Sequence, residues 1–397
     1  FSSEGVLIPI SLVPSFFFLY CYKKFKADFK IKNLRINSFI IFLILIISLY
    51  SFNRYSGWGN DAQAHIYYFL SIIYFLDYNS NQKNLDIFNK LMITSLFTFL
   101  IKPFYVISFL MPLAFFIIKK DKISILKSKI FFFLIFFSLM WFLKNFLISG
   151  CLIYPIKHTC IEKTSWYNDS RTIKAAIEGE GWAKDWGNRK KELNSISFNE
   201  YVNNFKWVET WLDNHFKVVI KKVIPVIIFL ILNVIVFYFT NCLKKNNKKE
   251  KDYLIIFSYI INLFGFLAWF SEFPIFRYGS SYIYSFLIFS LYFLFLRDID
   301  LNNFVRLKLL FVFIIYFGFF SITLKNLIRI YKTENTSIYP IMFDKNFDGE
   351  VVKFFNSDGL FIHYRNEKGL CGFSKSPCRF INTDIKRDIL FGYTVFK

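Results

Sequence analysis

Acidic residues are scarce in this sequence: 28 Asp and Glu stand against 49 Lys and Arg, and there are four His in 397 residues. Charged residues of both signs make up only 19%, whereas 55% are hydrophobic, with 56 Phe and 24 Tyr. A soluble domain of this length has no interior large enough for that much apolar surface. The sequence also lacks GxxxxGK[ST], a GxGxxG after a strand, HExxH and GxSxG. Those absences argue against ATP-driven transport and against the corresponding hydrolases. Spans one to five and six to ten show no inverted repeat, which weakens a secondary-transporter reading. The start, Phe1–Ser2–Ser3–Glu4, has no basic n-region and does not resemble a signal peptide, so the chain reads as N-terminally incomplete.

What is present is an alternation of apolar runs and basic loops. The runs cover residues 5–22, 36–52, 62–78, 90–101, 103–118, 130–149, 218–240, 253–270, 278–296 and 309–324. They predict an all-α membrane protein: a polytopic bundle of about ten transmembrane helices. A long outer loop, 150–217, interrupts the bundle. Residues 1–324 form the membrane domain and 325–397 a small outer tail domain. The net charge of +21 suits nucleic acid by size alone. Its Lys and Arg instead cluster in short loops beside apolar runs, which excludes nucleic acid in favour of a membrane surface. Loops 23–35, 119–129 and 243–252 are basic, and 53–61, 150–217, 271–277 and the tail alternate with them. The positive-inside rule then places the basic loops in the cytoplasm and the tail in the periplasm of a bacterial inner membrane. Runs 90–101 and 103–118 are short, at about 18–24 Å each from the helical rise, and fit half-depth or tilted helices.

The cysteines fit that topology. Cys151, Cys160, Cys371 and Cys378 fall outside, where an even set with close spacing suits disulfides Cys151–Cys160 and Cys371–Cys378. Four cysteines allow three pairings. Free thiols remain an alternative, and zinc is weaker because the spacings are not CxxC and only His158 and His363 are near.

The polar residues of the outer half are the candidate site. Asp61 and His65 are four apart at the mouth of span three and share a helix face. Asp61 directly before a helix is also an ordinary N-cap. A histidine inside a span needs a cavity or a partner. Lys102–Pro103 splits two short spans, Lys144–Asn145 lies in the outer half of span six, and Arg277 opens span nine. Lysine and arginine at such positions either snorkel or hold a phosphate. Trp166, Trp182 and Trp186, in a polar loop, suit either a stacking platform or a loop core. The stretch 201–216 puts Tyr201, Phe205, Val208 and Leu212 on one stripe and predicts an amphipathic helix lying on the membrane.

Three stretches resemble one superfamily. Phe99-Leu100-Ile101-Lys102-Pro103 followed by Met111-Pro112-Leu113 is similar to the helix pair of GT-C type glycosyltransferases. The stretch from Trp141 through Lys144-Asn145 and Ser149-Gly150 to Tyr154-Pro155 resembles their W-x-x-R-N-x-x-x-[ST]-G-x-x-x-Y-P segment, with Lys144 in place of Arg. Pro274-Ile275-Phe276-Arg277-Tyr278-Gly279 resembles a P-x-x-R-[FY]-G turn in an uncharacterised bacterial multispanning branch, whose members also end in a Cys-containing outer tail. The resemblance covers roughly residues 90–380. It implies a polyprenyl-phosphate-sugar donor, a membrane-lipid environment and an outward-facing site. A carboxylate of the first outer loop is the implied base, and that loop is missing here. Asp61 and His65 are then the catalytic candidates, Lys102, Lys144, Asn145 and Arg277 the phosphate contacts. Asp61 is also the candidate ligand of a divalent metal, Mg or Mn. The alternatives are a polymerase, ligase or flippase for lipid-linked glycans, or a transporter without catalysis. Which sugar, which acceptor and what oligomeric state are not written in the sequence.

Overall fold

The computed structural model describes residues 3–30, 36–55, 60–78, 85–118, 127–239, 253–296, 304–332 and, in the tail, 351–355, 361–365, 378–379, 387–390 and 393–396. The chain forms two compact units, Leu12–Thr323 and Phe1–Ser11 together with Leu324–Lys397.

The larger unit is helical. Its elements are α1 (Ser3–Lys30, which begins in the other unit), α2 (Ile36–Tyr55), α3 (Asn60–Tyr78), α4 (Leu85–Ile101), a 3-10 segment (Pro103–Phe109), α5 (Leu110–Ile118) and α6 (Lys129–Ser149). The loop carries α7 (Asp169–Ala183), α8 (Phe198–Asn203) and α9 (Trp207–Trp211). Then follow α10 (Lys217–Phe239), α11 (Tyr253–Glu272), α12 (Phe276–Leu291) and α13 (Phe304–Lys332). Every predicted apolar run is helical. Among the described residues, four helical stretches are long and apolar enough to cross a membrane: Lys129–Ser149, Trp207–Ile235, Tyr253–Glu272 and Phe276–Phe295. Runs 90–101 and 103–118 behave as their Lys102–Pro103 junction dictates. Proline cannot donate the next helical hydrogen bond, so α4 ends at Ile101 and the chain restarts as a 3-10 turn with Pro103 in its first position.

The core is built on α2, α3, α11 and α12. Large rings fill it: Tyr68, Tyr105 and Tyr282 are fully buried and mutually packed, with Tyr105 stacked on Tyr282 at 4.7 Å between centroids. Two glycines admit this crowding. A Cβ on Gly265 would lie 2.2 Å from the Tyr282 ring, and one on Gly279 2.2 Å from the Trp269 ring.

The loop at 150–217 departs from the expected amphipathic helix at 201–216. Phe205 adopts a left-handed φ of 55°, which a bulky L-residue rarely takes and which breaks α8 from α9. Tyr201, Trp207 and Trp211 are therefore buried while Phe205 is 60% exposed, so the predicted stripe does not form. Trp166 ties the loop to the end of α6, and Trp186 belongs to the loop's own packing. Trp166 donates to the Phe146 carbonyl, and Trp186 packs on Phe198, Tyr201 and the Arg189 guanidinium. Cys151 and Cys160 are joined as a disulfide.

In the second unit the tail contains short strands, which the reading of the tail as an accessory domain had not specified. β1 (Val351–Phe355) pairs antiparallel with β2 (Phe361–Arg365), β2 pairs parallel with β3 (Cys378–Arg379), and β4 (Arg387–Leu390) pairs antiparallel with β5 (Tyr393–Phe396). The expected Cys371–Cys378 pairing, most of the basic loops 119–129 and 243–252, Trp58 and Cys242 lie outside the described residues.

Candidate functional site

Asp61, Lys102 and Arg277 meet. The first is in the opening turn of α3, the second caps the 3-10 segment, and the third is in the opening turn of α12. Lys102 Nζ donates to Asp61 Oδ1 at 2.7 Å and Arg277 Nε to Asp61 Oδ2 at 2.6 Å. One carboxylate thus bridges two cations, and the triad carries a formal +1. Asp61 and Lys102 side chains are 13% and 16% exposed, Arg277 40%, so the guanidinium faces outward and the other two sit behind it. The Tyr278 ring lies under Lys102 Nζ at 3.3 Å. Trp182, 56% exposed at the end of α7, stands 6.0 Å from that ring. The two helix N-termini here, of α3 and α12, add partial positive charge and favour an anion between them.

His65 lies one turn below Asp61 and does different work. It is fully buried. Its Nε2 is 2.7 Å from the Arg277 carbonyl, an acceptor, so that nitrogen carries the proton. Nδ1 then accepts, from Ser281 Oγ at 3.0 Å or Tyr105 Oη at 2.8 Å. Ser280 Oγ adds a contact to Nε2 at 3.2 Å. Tyr105 Oη also reaches Ser281 Oγ at 2.7 Å and the Tyr278 carbonyl at 3.0 Å. This network pins the backbone that carries Arg277 and Tyr278. The turn before it is fixed from the other side: Trp211 Nε1 donates to the Pro274 carbonyl at 2.6 Å and Trp269 Nε1 to the Ile275 carbonyl at 2.8 Å.

Four of the six sequence candidates therefore converge: Asp61, His65, Lys102 and Arg277. Lys144 and Asn145 do not join them. Lys144 is exposed on α6, and no described contact links it to the triad. Tyr105, Tyr278, Ser280 and Ser281 are the members sequence reasoning missed. The P-x-x-R-[FY]-G motif was the only signal for any of them, and only for Tyr278. An apolar cavity of about 240 Å³, lined by Met92, Leu96, Phe109, Phe131 and Leu134 among others, shares no residue with this cluster.

A divalent metal does not fit the donor set. Both Asp61 oxygens already accept from cations, both His65 nitrogens are engaged internally, and no group of three His, Cys, Asp or Glu converges among the described residues.

Residues 7–284, well over half the sequence, match the family described as a domain of unknown function, DUF8201. The chain belongs to the DUF8201 family. The stretch that matches DUF8201 contains every member of the cluster and stops short of the tail. No curated protein and no solved structure matches the chain.

Proposed function

We propose that the protein is a membrane-embedded glycosyltransferase of the GT-C type. It moves a sugar from a polyprenyl-phosphate donor to a cell-envelope glycan or lipid at the outer face of a bacterial cytoplasmic membrane. The observation that carries this reading is the Asp61–Lys102–Arg277 triad, which puts one acid and two cations together at helix ends in an apolar bundle. In the transfer, the acceptor hydroxyl oxygen bonds to the anomeric carbon and its proton passes to Asp61. The bond from that carbon to the phosphate oxygen breaks, and its electron pair leaves with the polyprenyl phosphate. Lys102 and Arg277 neutralise the charge gathering there. His65 touches neither partner and is a positioning residue. No step requires a metal.

The reading is tested by reconstituting the purified chain with a polyprenyl-phosphate sugar and a membrane acceptor fraction. Wild-type protein should release polyprenyl phosphate, and Asp61→Asn should release none while inserting normally. Equal release by both proteins would leave Asp61 as a helix cap.

A second reading, a flippase or transporter for lipid-linked glycans, draws on the buried polar groups below the triad. Tyr68 donates to Asn262 at 2.9 Å and Ser71 to Thr94 at 3.0 Å, and the hydroxyls of Ser48, Ser258, Tyr282 and Ser285 are buried with no partner among the described residues. Translocation of a fluorescent lipid-linked sugar across vesicles without transfer would favour it.

A further inference from the structure

The acid of the triad sits where a ligand anion belongs. We infer that Lys102 and Arg277 form a phosphate-binding site that the Asp61 carboxylate fills in the ligand-free protein, and that an incoming phosphate binds by displacing it. This rests on the reading above, and it specifies how that site is regulated.

Three observations support it. First, the carboxylate takes both cations at once, one on each oxygen, as the two non-bridging oxygens of the donor's phosphodiester would. Second, the Lys102 ammonium and the backbone that carries Arg277 are held without Asp61. Lys102 rests on the Tyr278 ring, and the Arg277 and Tyr278 carbonyls are bonded to His65 Nε2 and Tyr105 Oη beneath. The seat therefore survives the departure of the acid. Third, Asp61 has a short side chain in the first turn of α3, beside the exposed Asn60, so only its own side-chain bonds need turn for it to leave the cations. The α3 and α12 N-termini favour whichever anion occupies the seat.

The exchange also resolves a conflict in the proposed chemistry. A carboxylate whose two oxygens are tied to two cations is a poor proton acceptor. Once phosphate holds the cations, Asp61 is released beside the bound donor. The base becomes available only when the donor is in place, so proton transfer is coupled to donor binding.

The test is binding, read separately from transfer. Wild-type protein in lipid nanodiscs is titrated with farnesyl phosphate, inorganic pyrophosphate and inorganic phosphate, alongside Asp61→Asn, Asp61→Ser and Arg277→Met. Asp61→Asn and Asp61→Ser should bind farnesyl phosphate about tenfold tighter than wild type, equivalent to about 1.4 kcal/mol, and Arg277→Met should lose binding. Tighter binding limited to farnesyl phosphate marks a lipid headgroup as the ligand, and tighter binding of all three marks free phosphate. If wild type binds and the Asp61 variants bind equally or more weakly, the displacement is wrong and the transferase reading stands. If neither wild type nor the variants bind any probe, both fall. Failure of both Asp61 variants to fold would make Asp61 a structural counter-ion and overturn the inference.

Discussion

Asp61 and His65 were visible in the sequence because four residues bring two polar groups to one face of a helix. Their partners were not. Serine and threonine in an apolar helix have a local solution, donating back to the carbonyl one turn earlier, as Ser138 does to Leu134 and Thr98 to Thr94. Nothing in the sequence separates those from Ser281, which turns to a residue 216 positions away. Tyr105 is hidden in the same way among many tyrosines. The consequence for His65 is testable. His65→Phe keeps a ring of similar bulk but removes the donor to the Arg277 carbonyl and the Nδ1 acceptor within reach of Ser281 and Tyr105, at about 1–3 kcal/mol for a buried polar group that loses its partner. Thermal unfolding in detergent should show a clear drop. An unchanged midpoint would mean the network does not hold this region together.

Among the elements, α11 and α12 are fitted to one another by missing side chains. Gly279→Ala places a methyl inside the Trp269 ring, and Gly265→Ala inside the Tyr282 ring. Overpacking of this kind costs typically about 1–3 kcal/mol. Gly279→Ala should also disturb the turn that presents Arg277, because Trp269 donates to its Ile275 carbonyl. Stability and farnesyl phosphate binding should therefore fall together in Gly279→Ala, and stability loss with intact binding would separate the turn from the site. In the outer loop, the Cys151–Cys160 bridge closes a short segment just after α6. Loop-closure entropy for such a length gives about 2–3 kcal/mol. Cys160→Ser should lower the unfolding midpoint, and peptide mapping without reductant should recover the two cysteines linked; recovery as free thiols would count against the bridge. That no described contact links Lys144 to the triad has an elemental cause. Depth along α6 can be read from sequence, whereas azimuth cannot. Lys144 is ten residues from Leu134, the buried residue of α6, which at ~100° per residue leaves it about 80° off the buried face.

At the scale of the molecule, the helical segments were legible because apolar runs must be helical in lipid, where each backbone group needs an internal partner. The tail strands were not, since five or fewer residues of mixed polarity carry little periodic signal. The orientation we propose rests on the Lys and Arg asymmetry, and reporter fusions at Lys248 and Ser195 should score on opposite sides of the membrane. Matching scores would end that topology. The wide sequence spacing of the triad also sets a calendar for assembly. Lys102 follows Asp61 by 41 residues and Arg277 by 216. At ~5–20 residues per second of synthesis, Arg277 emerges on the order of 10–40 s after Asp61. For that interval the nascent chain has Lys102 alone to hold the acid. If α3 and α4 pair during that interval, they carry a neutral Asp61–Lys102 pair. The docking of α12 is the late event that turns this pair into a cationic seat, so a ribosome stalled before residue 277 would leave an inserted but anion-blind protein.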